Sequence, residues 1–151
     1  MKKARRTTRR SLFEYRDDRN RDLLEAFKRE LGRVEGESLD DVLQRAVDSP
    51  ARRFWVSEER ALRVVSCMRR HPLPSGCHPL KREMFEEISR RCEALAESHP
   101  EWQLSRCVYY VVNHEAPKFY LTAIRAHVII CEERRRCKAE MMKRLQCMVS
   151  A

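Results

Sequence analysis

Two thiols and two imidazoles fall close together at Cys67, His71, Cys77 and His78, and these are ligand types that tetrahedral zinc takes. Their order, C-x3-H-x5-C-H, is not that of a zinc knuckle. The adjacent Cys77 and His78 are badly placed to chelate one ion together, so the reading is a buried Cys67 beside a polar connection, with no metal and no other cofactor. Covalent catalysis needs a cysteine or serine activated by a positioned base, and nothing local marks one. The phosphate-cradling glycine loop, H-E-x-x-H and G-x-S-x-G are missing from the sequence. The acidic pairs Asp17-Asp18 and Asp40-Asp41 read as solvated starts of helices. The chain is expected not to be an enzyme.

A binding chemistry is more visible. Trp55 flanked by Arg53, and Tyr120 flanked by Lys118, would make a platform on which bases stack while phosphates are held. The same residues fit a plainer arrangement, in which Phe54 and Phe119 face the core while Trp55 and Tyr120 cover the other side of a strand. Arg60 and Arg125 each stand in the first turn of a helix, where a recognition helix offers side chains to a major groove. A cap or an internal salt bridge would use them equally well. The N-terminus adds Lys2, Lys3, Arg5, Arg6, Arg9 and Arg10. These six, with Arg53, Trp55, Arg60, Lys118, Tyr120 and Arg125, are the candidate contacts to nucleic acid.

The composition agrees with a polyanionic partner. The chain of 151 residues carries a formal net charge of +9 and is 36% charged, against about 25% in an ordinary domain. Arginine dominates the 32 basic residues, and its planar fork suits bidentate contact with phosphate or guanine. A GC-rich genome would raise arginine in the same way without any partner. Seven cysteines, an odd number, several on apolar positions of helical patterns, suggest reduced thiols and a cytoplasmic location. No segment approaches the roughly 20 apolar residues that cross a bilayer, and no secretory signal is evident, so no membrane partner is expected.

The elements that must position these residues are mostly helical. Three glycines and six prolines supply too little turn punctuation for an all-β fold. Residues 1–18 read as a basic, irregular, flexible arm. From Asn20, Leu23, Leu24, Phe27 and Leu31 follow helix-face spacing as far as Gly32 and Gly36. Ser38 then caps a second helix striped by Leu39, Val42, Leu43, Ala46 and Val47. After Pro50, Arg53 to Val56 reads as a short strand, and Ser57 caps a third helix through Ala61, Leu62, Val64, Val65 and Met68. Residues 71–82, rich in proline, read as a linker.

Beyond it the pattern recurs at an offset of 65 residues. Ala51-Arg52-Arg53-Phe54-Trp55-Val56-Ser57 answers Ala116-Pro117-Lys118-Phe119-Tyr120-Leu121-Thr122. Arg60-Ala61 answers Arg125-Ala126, and the second-helix stripe falls on Leu104, Cys107, Val108, Val111 and Val112. The expected fold is therefore mainly α: a tandem duplicated helix-helix-short strand-helix unit, with Arg53 to Val56 pairing antiparallel with Lys118 to Leu121 as a two-stranded ribbon between the halves. Its divisions are repeat 1 at 19–70, the linker at 71–82, repeat 2 at 83–136 and a C-terminal helix extension at 137–151. The order helix, helix, connection, helix is similar to that of helix-turn-helix domains, but the stretch from Val47 to Ser57 is too long for their tight turn.

The expected function is non-enzymatic binding of nucleic acid, DNA first, through arginine-rich surfaces and the basic arm. The alternative is a small helical interaction or scaffold protein that binds a protein partner, or a second copy of itself, through the C-terminal helix. Its apolar edge is Cys137, Met141, Leu145 and Met148.

Overall fold

The computed structural model describes the backbone of residues 5–150 and the side chains of residues 15–150. Six helices make up the described part: α1 (Arg5–Leu31), α2 (Leu39–Asp48), α3 (Glu58–Met68), α4 (Pro79–Ser98), α5 (Leu104–Val112) and α6 (Ala123–Val149). Among the described residues there is no strand, and no helix is long and apolar enough to cross a membrane.

Local chemistry accounts for most of these boundaries. Ser38, extended at ψ 157°, accepts the Asp41 N–H at 3.3 Å and opens α2. Ser57 and Thr122 do the same for the N–H groups of Arg60 and Arg125, each at 3.2 Å, satisfying a donor that a helix start otherwise leaves free. Pro79 starts α4, where its missing N–H costs nothing. Val42, Leu43, Ala46 and Val47 of α2 are buried, as are Cys107, Val108, Val111 and Val112 of α5. Leu39, expected in the same stripe, is 48% exposed because it precedes the turn that meets the core.

Three sequence expectations need correction. The first helix starts at Arg5, so residues 5–18 are helical where an irregular arm was expected. Arginine and leucine are good helix formers even without an apolar stripe. The expected linker is shorter, since α4 begins inside it at Pro79. The short strand and its ribbon are absent. The extended segments after α2 and α5 do cross antiparallel, but they share a single bridge, with Ala51 N–H to Ala116 O at 3.0 Å and Ala116 N–H to Ala51 O at 2.9 Å. Beyond the bridge their donors go to helix ends: Phe54 N–H to Val112 O of α5 at 3.1 Å, and Phe119 N–H to Val47 O of α2 at 2.9 Å. The last carbonyls of a helix lack intrahelical donors, and they take the bonds a second strand would have taken.

The crossing separates α3 and α6 from the helices that precede them. α1 packs on α2, and α4 on α5, yet α3 lies against α4 and α5 while α6 lies against α1 and α2. One core results, in which Phe54, Ala61 and Val65 are buried together with Phe119, Ala126 and Ile130. Ala51 and Ala116 are 1% and 0% exposed at the crossing, where two backbones this close leave room for little more than a methyl group. From Cys137 to Ser150 every residue of the C-terminal stretch is exposed.

Candidate functional site

The N-terminal ends of α3 and α6 come together beside α1 and α4, and between them opens a cleft of about 770 Å³. Five cations line it: Arg16 and Arg19 of α1, Arg60 of α3, Lys81 of α4 and Arg125 of α6. No carboxylate is among the described residues of its walls. Two helix starts add their partial positive charge, which favours an anion at the same place. Arg16 is 3.5 Å from Glu132; Arg60, Lys81 and Arg125 have no ion-pair partner among the described residues. Burial, and then the like charges of Arg125 and Arg16, hold the pKa of the Arg19 guanidinium below its ordinary value, with Glu132 acting in the opposite sense. Repulsion of this kind within a cluster is relieved by a bound anion.

The apolar part of the lining comes from Tyr15, Trp55, Val56, Met84, Phe119, Tyr120 and Leu121. Several rings are held by internal bonds. Tyr15 donates its hydroxyl to Val56 O at 2.8 Å, and Trp55 donates Nε1–H to Oδ2 of Asp22 at 3.0 Å. Asp22 is 2% exposed and also accepts the Arg52 N–H at 2.9 Å. Tyr15 and Trp55 meet edge to face at 5.9 Å. Tyr120 stacks on Phe54 at 6.0 Å and stands at φ 56°, in the left-handed region that a bulky residue enters only at a cost. Burial, then Glu87 and Glu83, push its pKa up to about 12, which keeps the phenol neutral.

The sequence-predicted contacts divide into three groups. Trp55, Arg60, Tyr120 and Arg125 meet in the cleft. Arg53 and Lys118 lie behind it as supports. The Arg53 guanidinium sits 4.1 Å from the Tyr15 ring centre and donates to Phe54 O and Val56 O, each at 3.3 Å. Lys118 pairs with Glu83 at 2.6 Å, with Nζ 5.5 Å from the Tyr120 ring centre. Lys2 and Lys3 lie outside the described residues, as do the side chains of Arg5, Arg6, Arg9 and Arg10.

Sequence reasoning missed Tyr15, Arg16, Arg19 and Lys81, having put them in an arm, a helix approach and a linker. One signal was available: the offset that relates Arg60 to Arg125 also relates Arg16 to Lys81. Of the four residues first considered for zinc, Cys67 is exposed where a buried thiol was expected, and His78 caps α4, its Nδ1 accepting the Leu80 N–H at 3.2 Å.

Two other surfaces stand apart from the cleft. On the α4–α5 corner His99 stacks on Trp102 at 4.2 Å, Trp102 meets Tyr110 at 5.8 Å, and Tyr110 stacks on His114 at 4.0 Å. On α6, Met141, Leu145 and Met148 are 63%, 50% and 76% exposed. No protein-family model, curated protein sequence or solved structure matches this chain.

Proposed function

We propose that the protein binds nucleic acid, without chemical turnover, in the cation-lined cleft between its two halves. The observation that carries this reading is the convergence of Arg16, Arg19, Arg60, Lys81 and Arg125 on walls free of carboxylates. Several guanidinium groups elsewhere are matched to acids: Arg52 to Asp22 and Glu25, Arg45 to Glu30, Arg90 and Arg91 to Glu87, Arg136 to Asp17. In the cleft, Arg60 and Arg125 stand without such a partner among the described residues, where two helix starts already favour an anion.

The same proposal takes the chain to be a fused duplicate, with the cleft where its two copies meet. Five pairs of lining residues stand 65 positions apart, namely Arg16 and Lys81, Arg19 and Met84, Trp55 and Tyr120, Val56 and Leu121, Arg60 and Arg125. The bonds from Phe54 to Val112 and from Phe119 to Val47 are related by the same offset. Fused copies packed about a twofold would produce both.

Equilibrium binding of a labelled oligonucleotide across salt concentrations tests the site. Each phosphate neutralised contributes about 0.7 to 0.9 to the slope of log affinity on log salt. The double variant Arg60→Ala, Arg125→Ala should flatten that slope by about 1.5. An unchanged slope would remove the cleft from the reading.

A second reading rests on the exposed apolar edge of α6, which suits self-association or a protein partner. In that case Met141→Glu with Leu145→Glu would convert a dimer to a monomer by sedimentation. A wild-type chain that is already monomeric at high concentration would dispose of it.

A further inference from the structure

We infer that the nucleic acid taken by this cleft is single-stranded, with a base unstacked from its neighbours and laid against the Trp55 and Tyr120 walls. This rests on the cleft being the nucleic-acid site proposed above, and it adds the form of the ligand.

The cleft is concave and of small-molecule size, about 770 Å³, within the range of roughly 300 to 1,000 Å³ typical of pockets that enclose one ligand. A duplex is a rod with phosphates outside and base faces already stacked within. It can lie across the rim and meet Arg60 or Arg125, both exposed, but it offers no free base face to rings recessed between those cations. An unpaired strand does, because its bases splay out and stack on aromatic side chains while the backbone follows the positive charge.

The way the rings are held indicates what they recognise. The N–H donor of Trp55 and the O–H donor of Tyr15 are already spent, on Asp22 and on Val56 O. What these two side chains contribute to the lining is therefore ring surface, and ring surface accepts any base. Tyr120 adds a third ring, fixed by its stack on Phe54 and by a backbone conformation that few tyrosines adopt. Rings locked before binding lose little conformational freedom on contact, which favours affinity. The cleft accordingly binds with little preference for sequence and a marked preference for unpaired strands.

The test uses the full chain carrying Trp102→Phe, so that Trp55 is the sole reporter tryptophan. It is titrated with an oligothymidylate of about twelve nucleotides, with a blunt duplex of equal length and with inorganic polyphosphate. The single strand should quench Trp55 fluorescence and bind at least about tenfold more tightly than the duplex, the scale expected for one stacked base. Polyphosphate should bind, if at all, without quenching. Trp55→Leu should lose about tenfold in affinity for the single strand at an unchanged salt slope, while Trp55→Phe, which keeps a ring, retains most of it. Equal affinity for strand and duplex, absence of quenching, or a Trp55→Leu variant that binds like wild type would overturn the single-strand inference and leave the charged cleft standing. Failure of all nucleic acids to bind would overturn both.

Discussion

Tyr120 is the described non-glycine residue whose backbone enters the left-handed region, and its phenol is also a perturbed acid of the cleft. Burial, then the carboxylates of Glu87 and Glu83, raise its pKa from 10.0 to about 12. In the core, burial and then Cys107 raise the Cys92 thiol from 9.0 to about 12. Both groups hold their protons more tightly in the folded chain than in the unfolded one. Their contribution to stability is therefore complete below about pH 9 and is lost as pH rises toward 12. Tyr120→Phe has no proton to lose, so its melting temperature should fall less than that of the wild type between pH 10 and pH 12. Parallel declines in the two proteins would show that the phenol is as free to ionise as in water. Trp55, Tyr120, Arg60 and Arg125 were legible in the sequence because they sit beside helix caps whose spacing repeats. Tyr15, Arg16 and Arg19 were not, since the first half of α1 carries no apolar stripe and periodicity is silent there.

At the level of elements, the decisive feature is where α3 and α6 pack. α3 leaves α1 and α2 to cover α4 and α5, and α6 does the converse. A fragment of residues 1–70 would keep α1 and α2 but lose α6 from their faces, and α3 would have nothing of its own to bury Ala61 and Val65. Such a fragment should be largely unfolded when dilute and gain helix as concentration rises, each copy supplying the other's third helix. Circular dichroism over a dilution series checks this, and full helicity that survives dilution would contradict it. The helices themselves were readable from stripes and caps, because side-chain periodicity and N-cap chemistry are local. The placement of α3 and α6 was not. Arg53 to Val56 has the β-branched and aromatic character of a strand, but which carbonyl receives the Phe54 N–H depends on where α5 ends in space, and no local pattern encodes that.

At the scale of the molecule, the net charge of +9 includes five cations that line one cleft whose described walls carry no carboxylate. Composition announced an excess of charge, and only the packing of α1, α3, α4 and α6 around one opening shows that these five meet. On the proposal that the chain is a fused duplicate, the two sides of that opening are related but not identical. At the offset of 65 residues Trp55 corresponds to Tyr120, Arg16 to Lys81 and Arg19 to Met84, all of them in the lining. Two identical chains meeting at a twofold axis must treat both directions across it alike. A single chain is free of that constraint, and here one bank carries a guanidinium where the other carries a thioether. A nucleic-acid strand has a 5′ and a 3′ end, so one threaded through this opening would be held in a preferred orientation, and the opening would possess a polarity of its own.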